Sequence, residues 1–290
     1  MGPRLIEVDF RPATAGDLAE EFEVFEVAQR ELCERRGAKW TGRDFSQWER
    51  LHLHLLRNDG ARCFVAEEAG RVVAFTAAWV REDVWFLSAL FVNPEQQGRG
   101  IGTRLLTLAW GEEYRRRVTI TESLQPVSTA SYARRGLIPT TPILRFQGRP
   151  RSTEPEKLEA APRDPDALRL LDRAAYGFDR SVDHTLWKKT AETSTLWLSG
   201  GEPAAYSYVS TTGLIGPLAG RDETSAAKAL RAELARRADR TVSVAIPGSS
   251  AQLVEVALAS GLRMEDPGLL LLSPPTDPPR TLAIHGDWLL

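Results

Sequence analysis

The sequence contains little of what several classes of protein require. Only two cysteines, Cys33 and Cys63, occur in 290 residues. No disulfide framework is therefore implied, and both side chains are expected to be reduced thiols. No apolar run approaches the length of a membrane span, and the first residues have no apolar core of signal-peptide length. We therefore expect a cytoplasmic protein that does not bind a membrane.

The charge balance and the histidines exclude two further classes. Lys and Arg together number 37 against 39 Asp and Glu, and the net charge of -2 argues against a general nucleic-acid binder. His52 and His54 lie at i and i+2 of a predicted helix, so they point to different faces and cannot form an i, i+4 metal pair. Neither His184 nor His285 has a partner at motif spacing. The sequence therefore predicts no metal site.

The most informative stretch runs from Leu87 to Leu106. An apolar strand ends at Asn93-Pro94, because proline cannot donate to a sheet ladder. Gly98, Gly100 and Gly102 then open a helix. Glycines at a helix start leave the backbone N–H groups uncovered, and the positive end of the helix dipole lies at the same place. The pattern therefore predicts a backbone site for an anion, specifically a pyrophosphate.

Three kinds of phosphate-binding loop can be compared with this stretch. The ATP-binding loop requires a Lys after its glycines, and none follows here. A dinucleotide fingerprint would use Glu122 as its acid, but its third glycine is replaced by Thr103 and five residues separate the strand from the loop. The acyl-CoA loop, Q/R-x-x-G-x-G/A, is matched at each specified position by Gln97–Gly102, and Val92-Asn93-Pro94 precedes it. Here the sequence resembles the GNAT superfamily of N-acetyltransferases.

The resemblance implies acetyl-CoA as co-substrate and no metal. In the family, the strand before the loop and the strand after its helix separate, and the pantetheine arm inserts between them. The side chains of Arg99 and Arg104 either bind the pyrophosphate or form a solvated helix face. Carried over to this sequence, the cofactor-binding residues are Leu90, Phe91, Val92, Gln97, Gly98, Arg99, Gly100, Ile101, Gly102 and Thr103.

A second family segment, a helix ending in Y-x-x-x-G-[F/L], is matched from Tyr132 to Leu137. In the family this tyrosine protonates the departing thiolate, so the resemblance implies that Tyr132 is the general acid, with core packing as the alternative. A phenol with a pKa of about 10 can serve a thiolate of about 8.5, because the proton moves as charge develops on sulfur. The amine must also lose a proton. Glu122 is the first candidate for that base, Glu82 and Asp83 are others, and a surface acid is the alternative for each.

The elements around these motifs predict an α/β fold of the mixed α+β kind. Two helices and several antiparallel strands precede the loop, and helix, strand, helix and strand follow it. The helix after the loop is predicted from Gly100 to about Arg116, and the last strand of this half from Ile143 to Phe146.

The same order of elements then recurs. Gly102 and Gly136 are 34 residues apart, and Ala226 and Gly261, their counterparts, are 35 apart. In the second copy Thr224 replaces the first loop glycine, and Ala257 takes the position of Tyr132. A β-branched residue crowds the loop and alanine carries no acid. The second copy is therefore predicted to be structural or substrate-shaping, with an altered CoA site as the alternative.

We accordingly predict two tandem GNAT-like domains, each a mixed, mostly antiparallel sheet flanked by helices. The predicted divisions are a catalytic domain over 1–148, a linker over 149–155, a degenerate domain over 156–273 and a tail over 274–290.

The predicted activity is direct transfer of an acetyl group from acetyl-CoA to an amine of a small molecule or peptide. Trp40, Phe45, Trp48, Trp85 and Phe86 fall where the family lines its acceptor pocket, and core packing is their alternative role. A non-enzymatic protein that binds or senses acyl-CoA is the second hypothesis. Either a monomer or a homodimer fits the sequence.

Overall fold

The computed structural model describes residues 7–111, 114–151 and 156–290, so part of the predicted linker, residues 152–155, lies outside the described residues. The strands are β1 Val8–Pro12, β2 Cys63–Glu68, β3 Arg71–Arg81, β4 Val84–Val92, β5 Arg116–Glu122, β6 Ile138–Gly148, β7 Glu159–Ala161, β8 Ala191–Ser199, β9 Glu202–Ser210, β10 Leu214–Gly220, β11 Val242–Pro247, β12 Arg263–Met264, β13 Gly268–Leu272 and β14 Leu282–Ala283. The helices are α1 Leu18–Arg35, α2 Phe45–Asp59, α3 Ile101–Trp110, α4 Pro126–Ala133, α5 Pro165–Ala175, α6 Ser181–Thr190, α7 Glu223–Ala235 and α8 Ala251–Ala259. Among the described residues, no helix combines the length and apolar character needed to cross a bilayer.

The chain forms two compact units, which are not the two sequence copies. The first unit comprises residues 1–80 and 85–115, and the second comprises 81–84 and 116–290. The second unit therefore contains the last three elements of the first copy, β5, α4 and β6, together with the whole second copy. The domain boundary predicted at residue 148 stays a prediction.

The sheet of the first unit has the strand order β1-β2-β3-β4. Strand β2 pairs antiparallel with both β1 and β3. Successive side chains of a strand point to opposite faces, and the end of β4 shows this. Leu90 and Val92 pack with Ile101 and Leu105 of α3 on one face, whereas the ring of Phe91 lies 5.2 Å from that of Phe25 of α1 on the other. Helix α3 and helix α1 thus cover opposite faces of β4.

The second unit has the strand order β5-β13-β6-β11-β10-β9-β8-β7. Each copy ends in a strand that pairs with the other copy. Strand β13, which ends the second copy, pairs antiparallel with β5 of the first. Strand β6, which ends the first copy, pairs antiparallel with β11 of the second. The two exchanged strands also pair with each other, so the two copies are joined by a reciprocal strand exchange.

The predicted fold class is confirmed, and so is the repeat of element order. Two helices, three strands, a helix, a strand, a helix and a closing strand occur in each copy. Two predicted boundaries were wrong. Helix α3 ends at Trp110 rather than near Arg116, because Gly111 follows with a φ of 62°. Strand β6 is far longer than the predicted strand over 143–146, since pairing on both sides extends it past Pro139 and Pro142.

Candidate active site

The glycine-rich loop adopts the geometry that its sequence predicts. Gly98 and Gly100 have φ values of 78° and 83°, in the left-handed region that side chains other than glycine rarely occupy. Gly100 is the N-cap of α3 and, having no side chain, leaves the helix end uncovered. A Cβ on Gly102 would lie 3.3 Å from Cγ2 of Val92. The first two glycines therefore serve the turn, and the third allows close packing of α3 on β4.

The backbone N–H groups at the start of α3 have no backbone acceptor within the described part of the chain. The first helical hydrogen bond runs from the N–H of Arg104 to the carbonyl of Gly100 at 3.0 Å. The N–H groups of Gly100, Ile101 and Gly102 precede it and make no bond of that kind. An exposed set of donors at the positive end of a helix dipole fits a phosphate group. The cradle thus fits the pyrophosphate of a coenzyme.

The end of β4 and the loop are held together by short contacts. The amide of Gln97 donates to the carbonyl of Val92 at 3.2 Å, and the N–H of Asn93 donates to the carbonyl of Val73 at 2.8 Å. The last three residues of β4 are half-buried, in contrast to the buried residues 84–89. The structure therefore brings the predicted residues 90–92 and 97–103 together in one unit.

Arg99 and Arg104, both exposed, differ in their contacts. The guanidinium of Arg99 donates to Glu68 at 2.8 Å and also to Gln96. The hydrogen bond to Glu68 is the chief cause that raises the pKa of Arg99. Arg104 lies on the first turn of α3. An ion pair already occupies the side chain of Arg99, so its backbone N–H is the part left for an anion.

Tyr132 lies on α4 in the second unit and is only 6% exposed. Its carbonyl accepts hydrogen bonds from the N–H groups of Arg135 and Leu137, which terminate the helix before Gly136. Burial raises the pKa of the Tyr132 phenol above its ordinary value of 10. The hydroxyl therefore stays protonated at physiological pH, the state that a general acid requires.

Glu122, the predicted base, ends β5 in the second unit and has a close cationic partner. Arg145 of β6 donates to both of its carboxylate oxygens at 3.2 Å, and the same guanidinium donates to Asp287 at 2.6 Å. Sequence spacing gave no sign of this arrangement, because Asp287 comes from the tail. The ion pair fixes the orientation of Glu122, and its role as a base stays a prediction.

The five aromatic residues predicted to line the acceptor pocket differ in exposure: some are packed in the core and others are accessible. Trp48, Trp85 and Phe86 are all under 5% exposed and belong to the core. Phe45 is 37% exposed, and the half-buried Trp40 donates from Nε1 to Glu26 at 2.8 Å. Of the five predicted residues, these last two are therefore available to contact a substrate.

The corresponding loop in the second copy is covered by an acidic side chain. Asp222 is the N-cap of α7, and its carboxylate accepts the N–H of Ser225 at 2.6 Å. A Cβ on Gly220 would lie 2.5 Å from the backbone N of Ala226, so the turn has no spare room. Ala257, at the position of Tyr132, is fully buried. A carboxylate at the helix start takes one of the donors that a phosphate would use, and it repels the phosphate.

The C-terminal tail lies between β10 and β11 in the second unit. These strands pair in parallel only near Ile215, after which β10 pairs with β14 of the tail. On the other side, Ile284 donates from its N–H to the carbonyl of Ala245 at 2.9 Å. A Cβ on Gly216 would lie 2.2 Å from the carbonyl oxygen of Ile284, so glycine is required there. The tail thus fills the gap between the two strands.

A buried acid–imidazole pair in the first unit was not predicted from the sequence. His52 and His54 are only 2% and 7% exposed, because α2 packs both inward. The Nδ1 of His52 lies 3.6 Å from Oε2 of Glu21. Burial, with a smaller effect from Asp17, raises the pKa of Glu21 to about 8. Burial also lowers the pKa of His52 to about 3, so the imidazole is neutral.

Replacing Glu21 with Gln should stabilise the protein at pH 8 and change little at pH 4. Between its ordinary pKa of 4.5 and the folded value of about 8, the folded state holds a proton that the unfolded chain has lost, so stability falls as pH rises. Glutamine keeps a neutral group, and urea denaturation at pH 8 should give a gain on the order of 2 kcal/mol.

The matched control is Glu23→Gln on the same helix, whose side chain is 64% exposed and pairs with Arg71. It should change the free energy of unfolding by less than about 0.5 kcal/mol at both pH values. A Glu21→Gln variant that loses stability at pH 8 would contradict the assigned proton.

In the first unit the start of α3 has uncovered backbone N–H groups, and in the second unit α4 carries the buried, protonated Tyr132. Residues 24–137 match the model of the Acetyltransferase (GNAT) family, so the chain contains a GNAT domain and is an acyltransferase. The predicted resemblance is confirmed. No curated protein sequence is significantly similar to the chain.

Solved structures share the fold over nearly the whole chain. A putative acetyltransferase from Pyrococcus horikoshii has a TM-score of 0.78 at 16% identity, covering 100% of this chain and 99% of that one. A GCN5-related N-acetyltransferase from Sphaerobacter thermophilus has a TM-score of 0.65 at 15% identity, covering 94% and 98%. A tandem GNAT protein from the clavulanic acid biosynthesis pathway has a TM-score of 0.57 at 17% identity, covering 93% and 100%. The tandem GNAT architecture is thus confirmed.

Proposed function

We propose that the chain is an acetyl-CoA-dependent N-acetyltransferase that transfers the acetyl group directly to an amine of a small molecule or peptide. The observation that carries the proposal is the cradle of uncovered N–H groups around Gly100, which follows the half-buried end of β4 after a short turn. Backbone N–H groups at a helix start bind the pyrophosphate, and the main chain of Leu90, Phe91 and Val92 bonds the pantetheine arm.

In this proposal, different residues serve substrate binding and proton transfer. Holding the thioester and the amine together supplies much of the catalysis. Backbone donors near Leu90 stabilise the oxyanion of the tetrahedral intermediate. Tyr132 protonates the departing thiolate, and Glu122 takes the proton from the amine, directly or through water. The transfer needs no covalent enzyme intermediate, and the cysteines lie outside both motifs.

The second copy contributes structure rather than a second coenzyme site. Asp222 caps its helix start, and the tail residue Ile284 is bonded inside its strand gap. A coenzyme arm would have to displace the tail and face the Asp222 carboxylate. Isothermal titration should therefore give one acetyl-CoA per chain, and a second equivalent site would overturn this division of roles.

Replacing Gly100 with Ala should weaken the binding of acetyl-CoA by roughly 100-fold, because charge-assisted hydrogen bonds from about two displaced N–H groups are lost. A φ of 83° strains any residue with a Cβ, so the loop shifts even though a Cβ there would meet no atom within 4 Å. Titration calorimetry measures the dissociation constant directly.

Gly60→Ala is the control, because Gly60 has a φ of -54° and open space around it. Its affinity for acetyl-CoA should match that of the unmodified protein. Equal affinity in Gly100→Ala would show that the loop does not hold the coenzyme. Thiol release across a panel of amines then tests turnover.

The second hypothesis is that the protein binds or senses acyl-CoA without turnover. Such a protein would bind the coenzyme at the same cradle. It is favoured if acetyl-CoA binds and no amine releases coenzyme thiol. The protonated, buried state of Tyr132 supports the enzyme instead.

A further inference from the structure

A second polar cluster lies deep in the second unit, among α5, α6 and β9. Asp172, Arg180 and Asp183 are fully buried, and His184 is 7% exposed. None of them has a part in the acyl transfer described above. Burying charges is costly unless each is paired or hydrogen-bonded, so the partners of each group are informative.

Arg180 is the group whose hydrogen bonds are missing. Its Nε, Nη1 and Nη2 atoms donate to no acceptor in the described part of the chain. Nε1 of Trp187 has no acceptor there either, and Oη of Tyr176, although close to Arg180 and Tyr206, makes no well-formed hydrogen bond. The guanidinium carbon lies 4.1 Å from the ring centre of Tyr176 and 4.5 Å from that of Trp187. Three unpartnered donor side chains are therefore gathered at one point.

The first nearby carboxylate, Asp183, is bonded to another arginine. Arg81 donates to both of its oxygens, at 3.1 and 2.7 Å. The closest approach of Arg180 is 3.9 Å from its Nε to Oδ2 of Asp183. That distance is beyond hydrogen-bonding range.

The second carboxylate, Asp172, is also engaged. It accepts from Oη of Tyr206 at 2.6 Å and from the backbone N–H of Arg180 at 3.2 Å. Nε2 of His184 lies 2.9 Å from it, and Nδ1 of the same ring lies 2.8 Å from Oη of Tyr208. These bonds hold Asp172 in place without reaching the guanidinium nitrogens.

We propose that Arg180, Tyr176 and Trp187 form a binding site for a small carboxylate. Buried donors without acceptors are rare in native proteins, and charged ones are the most costly. The two rings lie against the guanidinium carbon, and the parallel N–H groups of an arginine match the two oxygens of a carboxylate.

The charge balance fits one added anion. Arg81 and Arg180 offset Asp172 and Asp183, and Arg163, whose Nη1 lies 3.4 Å from Oη of Tyr208, adds one positive charge at the edge. Burial by itself lowers the pKa of Arg180. Electrostatic interactions with Tyr176, Tyr206 and Asp183 outweigh this effect and raise the pKa overall, so the guanidinium is charged. The ring of His285, which is half-buried, lies 5.9 Å from that of Trp187.

To test this, acetate or formate is titrated into the full-length protein, with chloride at equal ionic strength as the reference. Calorimetry measures the binding, and thermal unfolding measures the change in Tm. We expect saturable binding of one carboxylate per chain and a rise in Tm that chloride does not produce. Arg180→Met should weaken binding roughly 10- to 100-fold, the loss expected for charge-assisted hydrogen bonds. Arg169→Gln, on an exposed part of α5, should leave it unchanged.

Tyr176→Phe keeps the ring and removes only the hydroxyl, so it tests the site even if Arg180→Met fails to fold. It should weaken carboxylate binding about five-fold, as expected for one hydrogen bond. The proposal is overturned if chloride has the same effect, if Tyr176→Phe binds as well as the unmodified protein, or if acetate-soaked crystals hold only water beside Arg180. Acetyl-CoA binding is measured separately and does not affect this outcome.

Discussion

Replacing Tyr132 with Phe should lower the rate of acyl transfer by roughly 100-fold or more, the usual contribution of a positioned general acid. The ring is buried, and the substitution removes only the hydroxyl, so the packing of the ring is kept. The affinity for acetyl-CoA and the Tm should therefore stay close to their original values. Thiol release under single-turnover conditions measures the chemical step.

The pH dependence separates Tyr132 from other groups. Because burial raises the pKa of its phenol above 10, the acid form persists, and the rate should not fall between pH 8 and pH 10 through loss of this proton. Tyr114→Phe removes a hydroxyl that accepts from Nε of Arg62 at 3.1 Å and should change the rate by no more than about two-fold. A fully active Tyr132→Phe variant would require another acid.

The conformation of the glycine-rich loop could be predicted because its information is local. Gly98, Gly100 and Gly102 specify both the left-handed turns and the close approach to Val92 within five residues. Backbone conformation at such positions depends mainly on the residue itself. The same reasoning applied to the second copy indicated a damaged loop, and Asp222 is the cap found there.

The strand exchange could not be predicted, because the choice of partner strand is not a local property. Periodicity shows that β6 and β13 are strands but not which neighbours they join. Pro139 and Pro142 interrupt the pattern of β6, as proline usually does in a central strand. The structure accommodates them with a register shift opposite Leu270 and Leu271 of β13.

The buried polar groups were missed for a related reason. Motif spacing finds pairs on one helix, whereas Glu21 meets His52 from another helix. In the same way, Tyr208 of β9 and Asp172 of α5 approach His184 of α6 only through the tertiary fold. A histidine without a partner in the sequence can therefore still have one in the structure.

Replacing Leu270 with Pro should destabilise the second unit by roughly 5 kcal/mol or more, from a lost ladder bond, ring clash and a core cavity. Leu270 is fully buried and lies opposite Ile120 of β5 and Thr141 of β6. Strand β13 separates the two strands that flank α4, the helix carrying Tyr132. Both urea denaturation and acyl transfer should therefore show the loss.

The exchange itself can be trapped by a disulfide between β5 and β13. Thr121 and Leu269 are directly opposite in the antiparallel ladder and half-buried, and opposed residues have the spacing that a disulfide needs. Thr121→Cys with Leu269→Cys should oxidise to an intramolecular bond that peptide mapping separates from Cys33 and Cys63. The control for the loss of a leucine side chain is Leu258→Ala. Leu258 is 52% exposed on α8, so this substitution should leave the stability of the protein unchanged. If the paired cysteines stay reduced in the folded protein, β13 does not lie beside β5, and the second copy cannot support Tyr132 through that strand.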